Sequence, residues 1–346
     1  MEALMQIQSL TEELSRPVDA PTAVIQYANK DITADISPYM LEMVYTDALE
    51  GESDTVELQL EDVDGRWINA WYPEHGDTVA LQLGYAGRPL LQCGEFEIDE
   101  IELHGPPDVA TIKALSAGVK KSVRTRNGRA YENTTLEAIA KDVARRNKLE
   151  LVGKFETVSI TRATQVFETD LAFLRRLADE YGYSFNVRGS KMTFFKVSKL
   201  KEGKTVYVIT RQDCCSTYRL RDKVHGVVSE AEVTYHDPRA KRRRSVTVKD
   251  KAKKGNRTSA DRARINVRAE NDVQAKQKAQ ALLDKNDDQT GATITLYGNT
   301  LLVAGVLVEL QTFGKFDGRY LVTKSIHTMR RGSGYTTEVE LKRLRE

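Results

Sequence analysis

The sequence predicts an α+β protein in which two antiparallel β-barrel or sandwich domains flank a small module of two helices and a hairpin. The outer domains are predicted by alternation: Val56, Leu58 and Leu60 are spaced by polar residues in TVELQLED, as are Val79, Leu81 and Leu83 in DTVALQLGY. A period of two leaves one face of a strand dry and the other wet. A different period predicts the middle. Leu136, Ile139, Ala140 and Val143, then Leu171, Leu174, Leu177, Ala178 and Tyr181, recur at helical spacing. A chain of 346 residues exceeds one comfortable core. Its domains are placed at 1–118, 119–200 and 201–346, the last with a basic loop and a helix inserted at about 239–286.

Met1 to Arg16 reads as a short amphipathic segment striped by Leu4, Ile7, Leu10 and Leu14. It lacks the basic flank and apolar core of a signal peptide. From residue 21 to 115 strands follow, punctuated by Gly76-Asp77, Ala86-Gly87-Arg88-Pro89 and Gly105-Pro106-Pro107. Phe96 and Ile98 set one phase and Ile101 and Leu103 the other, so a bulge or bend is expected at Asp99-Glu100.

The middle module is entered through a basic loop, Lys120 to Arg129. Thr134 is the expected cap of its first helix, with Glu137 three residues on. The second helix is expected to start at Thr169-Asp170 and to stop at Gly182. A hairpin then pairs Phe185–Arg188 with Lys191–Phe195 through Gly189-Ser190, a pair suited to a two-residue turn.

Strand patterns return in KTVYVIT and VHGVVSEAEVTYHD. Composition then shifts: from Arg239 to Arg268 there are 13 Lys or Arg against Asp250 and Asp261, which predicts a solvated loop. A helix is expected to open near Asn271-Asp272, with Gln274 at capping-box spacing. Gly291 to Leu344 is strand again. Gly305–Leu344 repeats the strand and glycine-turn pattern of Gly76–Leu115, VLVEL answering VALQL, which points to duplication of one β unit.

Two stretches carry a resemblance. QVFETDLAFLRRLADEYGYSFNVRGSKMTFF, with Glu168, Asp170, Leu171, Phe173, Leu174, Arg176, Leu177, Ala178, Glu180 and Gly182, resembles the phage late control gene D family. These are tail hub proteins related to the N-terminal part of VgrG spikes. Thr169 stands where that family usually has serine and keeps the capping hydroxyl. AGVLVELQTFGKFDGRYLVTKSIHTMRRGSGYTTEVELKRLR resembles the same family's C-terminal segment. The resemblance implies tube-like β domains, two per subunit, so that a homotrimer offers six similar units to a sixfold tail tube and threefold symmetry to a spike.

Candidate sites for chemistry were weighed one by one. Gly203-Lys204-Thr205 has Ser198 where a phosphate loop needs its first glycine. His75, His104, His225, His236 and His327 are dispersed, without metal-ligand spacing, and are expected at the surface or in loops. Cys93, Cys214 and Cys215 form no C-x-x-C, and the odd count favours reduced thiols made in a cytosol. Asp62 and Asp64 before Gly65 read as a turn and not a calcium loop, because the glycine comes too early. Glu95, Glu97, Asp99, Glu100 and Glu102 read as the polar face of a strand, with a paired-carboxylate site as the alternative. No catalytic, cofactor-binding or metal residue is therefore assigned, and no cofactor is expected.

Charge is balanced, 52 Lys and Arg against 50 Asp and Glu, so no global field points to nucleic acid or an anionic membrane. No apolar run approaches the length of a membrane span. The resemblance implies a structural baseplate hub of a contractile phage tail or related injection particle. The expected partners are copies of itself in a trimer, the tail tube protein, the central spike and other baseplate proteins. No membrane is expected in the assembled state, and nucleic acid only as DNA passing through the channel. Such a protein would reside in a virion or tail-like particle and assemble in the bacterial cytoplasm. The alternatives are a tail-associated cell-wall hydrolase and a DNA-binding late-gene control protein acting through the basic stretch.

Overall fold

The computed structural model describes residues 20–49, 53–116, 125–188, 191–196, 199, 203–223, 228–237, 241–249, 262–266, 269–284 and 290–344. The amphipathic segment expected at Met1 to Arg16 and the Gly189-Ser190 turn lie outside the described residues.

The first unit comprises β1 (Pro21–Tyr27), β2 (Lys30–Asp31), β3 (Met40–Ala48), β4 (Thr55–Glu61), β5 (Thr78–Tyr85), β6 (Leu91–His104) and β7 (Val109–Ser116). The alternation works as expected: Val56, Leu58, Leu60, Val79, Leu81 and Leu83 all face one core with Tyr45, Phe96 and Trp67. The expected bulge is present, since the β6–β7 register slips between Ile98 and Glu100 and leaves Asp99 as the extra residue.

The middle module contains β8 (Arg126–Thr135), α1 (Leu136–Arg146), β9 (Glu150–Gly153), β10 (Ser159–Thr169), α2 (Asp170–Tyr181), β11 (Tyr183–Arg188) and β12 (Lys191–Lys196). The cap of α1 is Thr135 and not Thr134. Thr135 holds the extended backbone a cap requires, and its hydroxyl accepts from the Ala138 amide at 3.1 Å, whereas Thr134 pairs with Ile160 as the penultimate residue of β8. Thr169 caps α2 through the Ala172 amide at 3.2 Å, and Gly182 closes it at φ +73°. Phe173, Leu174 and Leu177 from α2 pack on Ile139 and Val143 from α1, with Met192 and Phe194 from the hairpin beneath. Asp170 ties the two helices together from within: its carboxylate accepts from Gln165, Asn147 and Arg146 at 2.9, 3.0 and 3.1 Å. Burial pushes that carboxyl up, but these three donors outweigh it and hold it below the usual carboxylate range.

The last part comprises β13 (Thr205–Ile209), β14 (Cys214–Asp222), β15 (Glu230–Asp237), β16 (Arg242–Lys249), β17 (Arg262–Asn266), α3 (Asp272–Asp284), β18 (Thr290–Tyr297), β19 (Leu307–Leu310), β20 (Gly318–Arg330) and β21 (Gly334–Arg343). Within the stretch expected as a basic loop, the described residues 241–249 and 262–266 are strand almost throughout. β16 and β17 flank β15 in a three-stranded sheet whose inner face, Ala231, Val233 and Tyr235, packs on Ala275, Ala279 and Leu283 of α3. Arg and Lys at the exposed alternate positions masked that period, because one strand face is enough to satisfy a core. β15 belongs to the same sheet as β16 and β17. Asn271 caps α3, accepting from the Gln274 amide at 2.9 Å.

The two β-rich ends are not separate sheets. They share one 13-stranded sheet, joined where β3 pairs antiparallel with β20 from Ala48 opposite Lys324 to Glu42 opposite Arg330. Within it the first unit runs β1-β5-β6-β7-β4-β3 and the last β13-β19-β20-β21-β18-β14. Leaving out the two-residue β2, and numbering the six sheet strands of each unit in chain order, both read 1-4-5-6-3-2. The pattern seen between Gly76–Leu115 and Gly305–Leu344 thus extends to the whole unit. One difference stands: β1 is antiparallel to β5, whereas β13 is parallel to β19.

Candidate functional site: a fused seam and two open edges

The residues weighed for chemistry do not converge. His75, His104 and His236 are exposed. Asp62 accepts from the Trp67 amide at 2.9 Å and Asp64 holds Arg66 in a salt bridge, so the pair builds a turn with Gly65 at φ +68°. Gly203-Lys204 leads into β13, and the Gly203 carbonyl accepts from Arg319. Cys214 and Cys215 are unbridged on β14, and burial raises both thiols. Glu95, Asp99, Glu100 and Glu102 are exposed along β6, where Lys113 sits 3.2 Å from Glu100. Among the described residues no group of His, Cys, Asp and Glu could hold a metal ion, and no helix is long and apolar enough to cross a membrane.

His327 departs from the expectation of a surface histidine. It is fully buried on β20, stacked 5.9 Å from Tyr45 of β3, at the seam joining the two units. Its Nε2 lies 3.1 Å from the Leu302 carbonyl, which can only accept, so Nε2 carries the proton. Nδ1 accepts from the Tyr335 hydroxyl at 2.6 Å. Burial pushes the imidazole down to about 4 and raises the Tyr335 phenol. Asp47 and Ser325, opposite each other across the seam, are buried too: Asp47 accepts from the Ala304 amide at 3.0 Å, and the Ser325 hydroxyl donates to Leu302. Plain alternation along β20 misses His327, because the register slips between Val322 and Lys324 and carries the dry face from Tyr320 and Val322 to Ser325 and His327.

The seam uses the second strand of the first unit and the far half of the fifth strand of the last. The near half of β20, residues 318–321, takes β19, and the far half, 324–330, takes β3. The corresponding strands of the opposite units each keep one edge without a strand partner among the described residues. β14, second strand of the last unit, has β18 on one side and no neighbour on the other among the described residues. β6, fifth strand of the first unit, gives residues 91–97 to β5 and Ile98 to the Gly76-Asp77 backbone, and among the described residues its remainder, 99–104, has only β7 as a strand neighbour.

These two edges match in chemistry. Exposed Arg219 and Arg221 line β14, and exposed Glu100 and Glu102 line the far half of β6. Each also carries an exposed apolar side chain, Tyr218 at 45 % and Leu103 at 42 %. The internal seam closes on the same kind of pair, Arg330 to Glu42 at 2.7 Å. The sequence pattern gave each strand its face but said nothing of which edges stay open, because that depends on strand order.

Residues 115–333 match the family model described as "Phage tail baseplate hub (GPD)". A protein of Escherichia phage 186 named "Probable baseplate hub protein" is 32 % identical over 200 residues, which are 56 % of this chain and 51 % of that protein. A protein of the same name from Escherichia phage P2 is 33 % identical over 199 residues, again 51 % of its length. The alignment thus spans about half the length of these curated relatives. Among solved structures, the tail protein from Neisseria meningitidis MC58 shares the fold at TM-score 0.71 and 12 % identity, covering 94 % of this chain and 97 % of that one.

Proposed function

The chain belongs to the phage tail baseplate hub (GPD) family, and from that premise we propose that it is a structural hub protein. In this reading it forms a homotrimeric ring that joins the tail tube to the central spike of a contractile particle. β14 of one copy pairs with the far half of β6 in the next, as β3 pairs with β20 inside each chain. Because the two edges are different surfaces, the contact is head-to-tail, and a head-to-tail contact either closes into a ring or runs on as a filament. Three copies would close it with six tube-like β units around a channel.

What supports this reading is one observation: the same strand order occurs twice, and the pairing that fuses the two copies has a reciprocal left open at β14 and β6. The unpaired edge of a long strand is costly to leave exposed, and charge alone does not explain complementary charge on two edges. The α+β module between the units braces the ring from outside, where Asn186 donates to the Ala48 carbonyl at 2.8 Å next to the seam. It would present surfaces to other baseplate proteins. The protein does its work mechanically and without a cofactor, in a virion or tail-like particle assembled in the bacterial cytoplasm, with DNA as a passenger through the channel.

Mass measurement of the purified protein tests this. The expected species is three times the 38.9 kDa chain. A monomer that persists at high concentration, with no ring in the assembled particle, would overturn it.

A further inference from the structure

The inserted sheet has an open edge with a groove beside it. β17 pairs with β15 on one side and has no strand on the other among the described residues. Along the free side runs a groove of about 420 Å3 between β17, α3 and α2, floored by Ala172, Ile265, Ala281 and Leu282. These four side chains are apolar, and charged ones of both signs rim them: Arg175, Arg176, Asp179 and Glu180 from α2 and Lys278 from α3.

The other face of β17 is prepared for anions. Arg262 and Arg264 point away from the core, opposite Ile265 and Ala263. Glu230 holds Arg262 through Nε at 2.7 Å, and Glu232 holds Arg264 through Nε at 3.0 Å. The two arginine side chains nonetheless stay 60 % and 71 % exposed, which leaves room for a further carboxylate to reach each guanidinium. Residues two apart on a strand stand about 7 Å apart on one face. Two guanidinium groups at that spacing match two acidic side chains at alternate positions of a neighbouring strand.

We propose that the β17 edge takes an extended protein segment that alternates acidic and apolar residues, as an added strand. Its backbone completes the ladder, its acidic side chains meet Arg262 and Arg264, and its apolar side chains enter the groove between α2 and α3. Charge complementarity sets the acidic face, and the Ala, Ile and Leu floor sets the apolar one. A nucleic acid strand fits less well. Among the described residues, this face of β15, β16 and β17 offers no Phe, Tyr or Trp for a base to stack on. The site goes beyond the hub reading and does not depend on the trimer.

The test is fluorescence anisotropy of the full chain with a labelled synthetic peptide of about eight residues alternating Glu and Val. A Lys-Val peptide and a single-stranded oligo-dT of similar length serve as comparisons. The Glu-Val peptide is expected to bind and the Lys-Val peptide is not. Binding should weaken about tenfold in an Arg262→Gln/Arg264→Gln variant. It should weaken similarly in Ala172→Arg, which plugs the groove from an exposed helix position without touching either pair. Both variants should keep the wild-type melting temperature. The proposal is overturned if the Glu-Val peptide does not bind, if neither variant weakens it, or if oligo-dT binds more tightly.

Discussion

The Tyr335 hydroxyl donates to His327 Nδ1 across 2.6 Å, and both side chains are closed to water where the two β units fuse. A neutral imidazole satisfies this place and an imidazolium does not, since Nδ1 would turn from acceptor to donor.

Stability should therefore fall in mild acid. In the unfolded chain His327 titrates near its ordinary 6.5, and in the fold it titrates near 4. Between those values the unfolded state holds a proton that the folded state lacks, so stability is complete above about pH 6.5 and declines as pH drops toward 4. The loss amounts to about 3 kcal/mol. Urea midpoints measured from pH 7 to 4.5 should show this slope, and a His327→Gln variant should flatten it; equal slopes in both proteins would remove His327 as the cause.

Gly298 is where the Tyr335 ring rests. A Cβ there would lie 1.9 Å from Tyr335 Cδ1, so Gly298→Ala must displace the ring and with it the hydrogen bond to His327. The expected cost is about 2 to 3 kcal/mol, and thermal unfolding of the variant measures it. A loss below about 0.5 kcal/mol would mean that the ring shifts freely.

The cap of α1 separates two neighbouring threonines. Thr135→Ala should cost about 1 kcal/mol, because the Ala138 amide loses its acceptor. Thr134→Ala should cost distinctly less, since its hydroxyl caps nothing. Chemical denaturation of the two variants side by side decides between the positions, and the reverse ranking would place the cap at Thr134.

Charge swaps at the open edges test the ring directly. Arg219→Glu/Arg221→Glu, or Glu100→Lys/Glu102→Lys, should each weaken self-association about tenfold by placing like charges across the edge. Combining both sets should restore it. Sedimentation velocity over a concentration series reads the effect; a combined variant no better than either alone would rule out pairing between these two strands.

Much of this protein could be read before folding it. The helix stripes at Leu136–Val143 and Leu171–Tyr181, the stop at Gly182, the bulge at Asp99 and the repeat of Gly76–Leu115 in Gly305–Leu344 all follow from patterns confined to a few neighbouring residues. β8 and β10 were not visible in the same way, because β8 fully buries no side chain and the three that β10 buries, Ile160, Ala163 and Gln165, make too weak an apolar alternation. β16 and β17 were hidden by their own charge.

Local pattern settles the period of each segment, hence which residues turn inward, since that depends on the geometry of one strand or one helical turn. It does not settle which strands become neighbours. That the second strand of one unit lies on the fifth of the other, that His327 is thereby sealed against Tyr45, and that β14 and half of β6 are left open are consequences of contacts between residues hundreds of positions apart. Such contacts are chosen by the packing of whole faces.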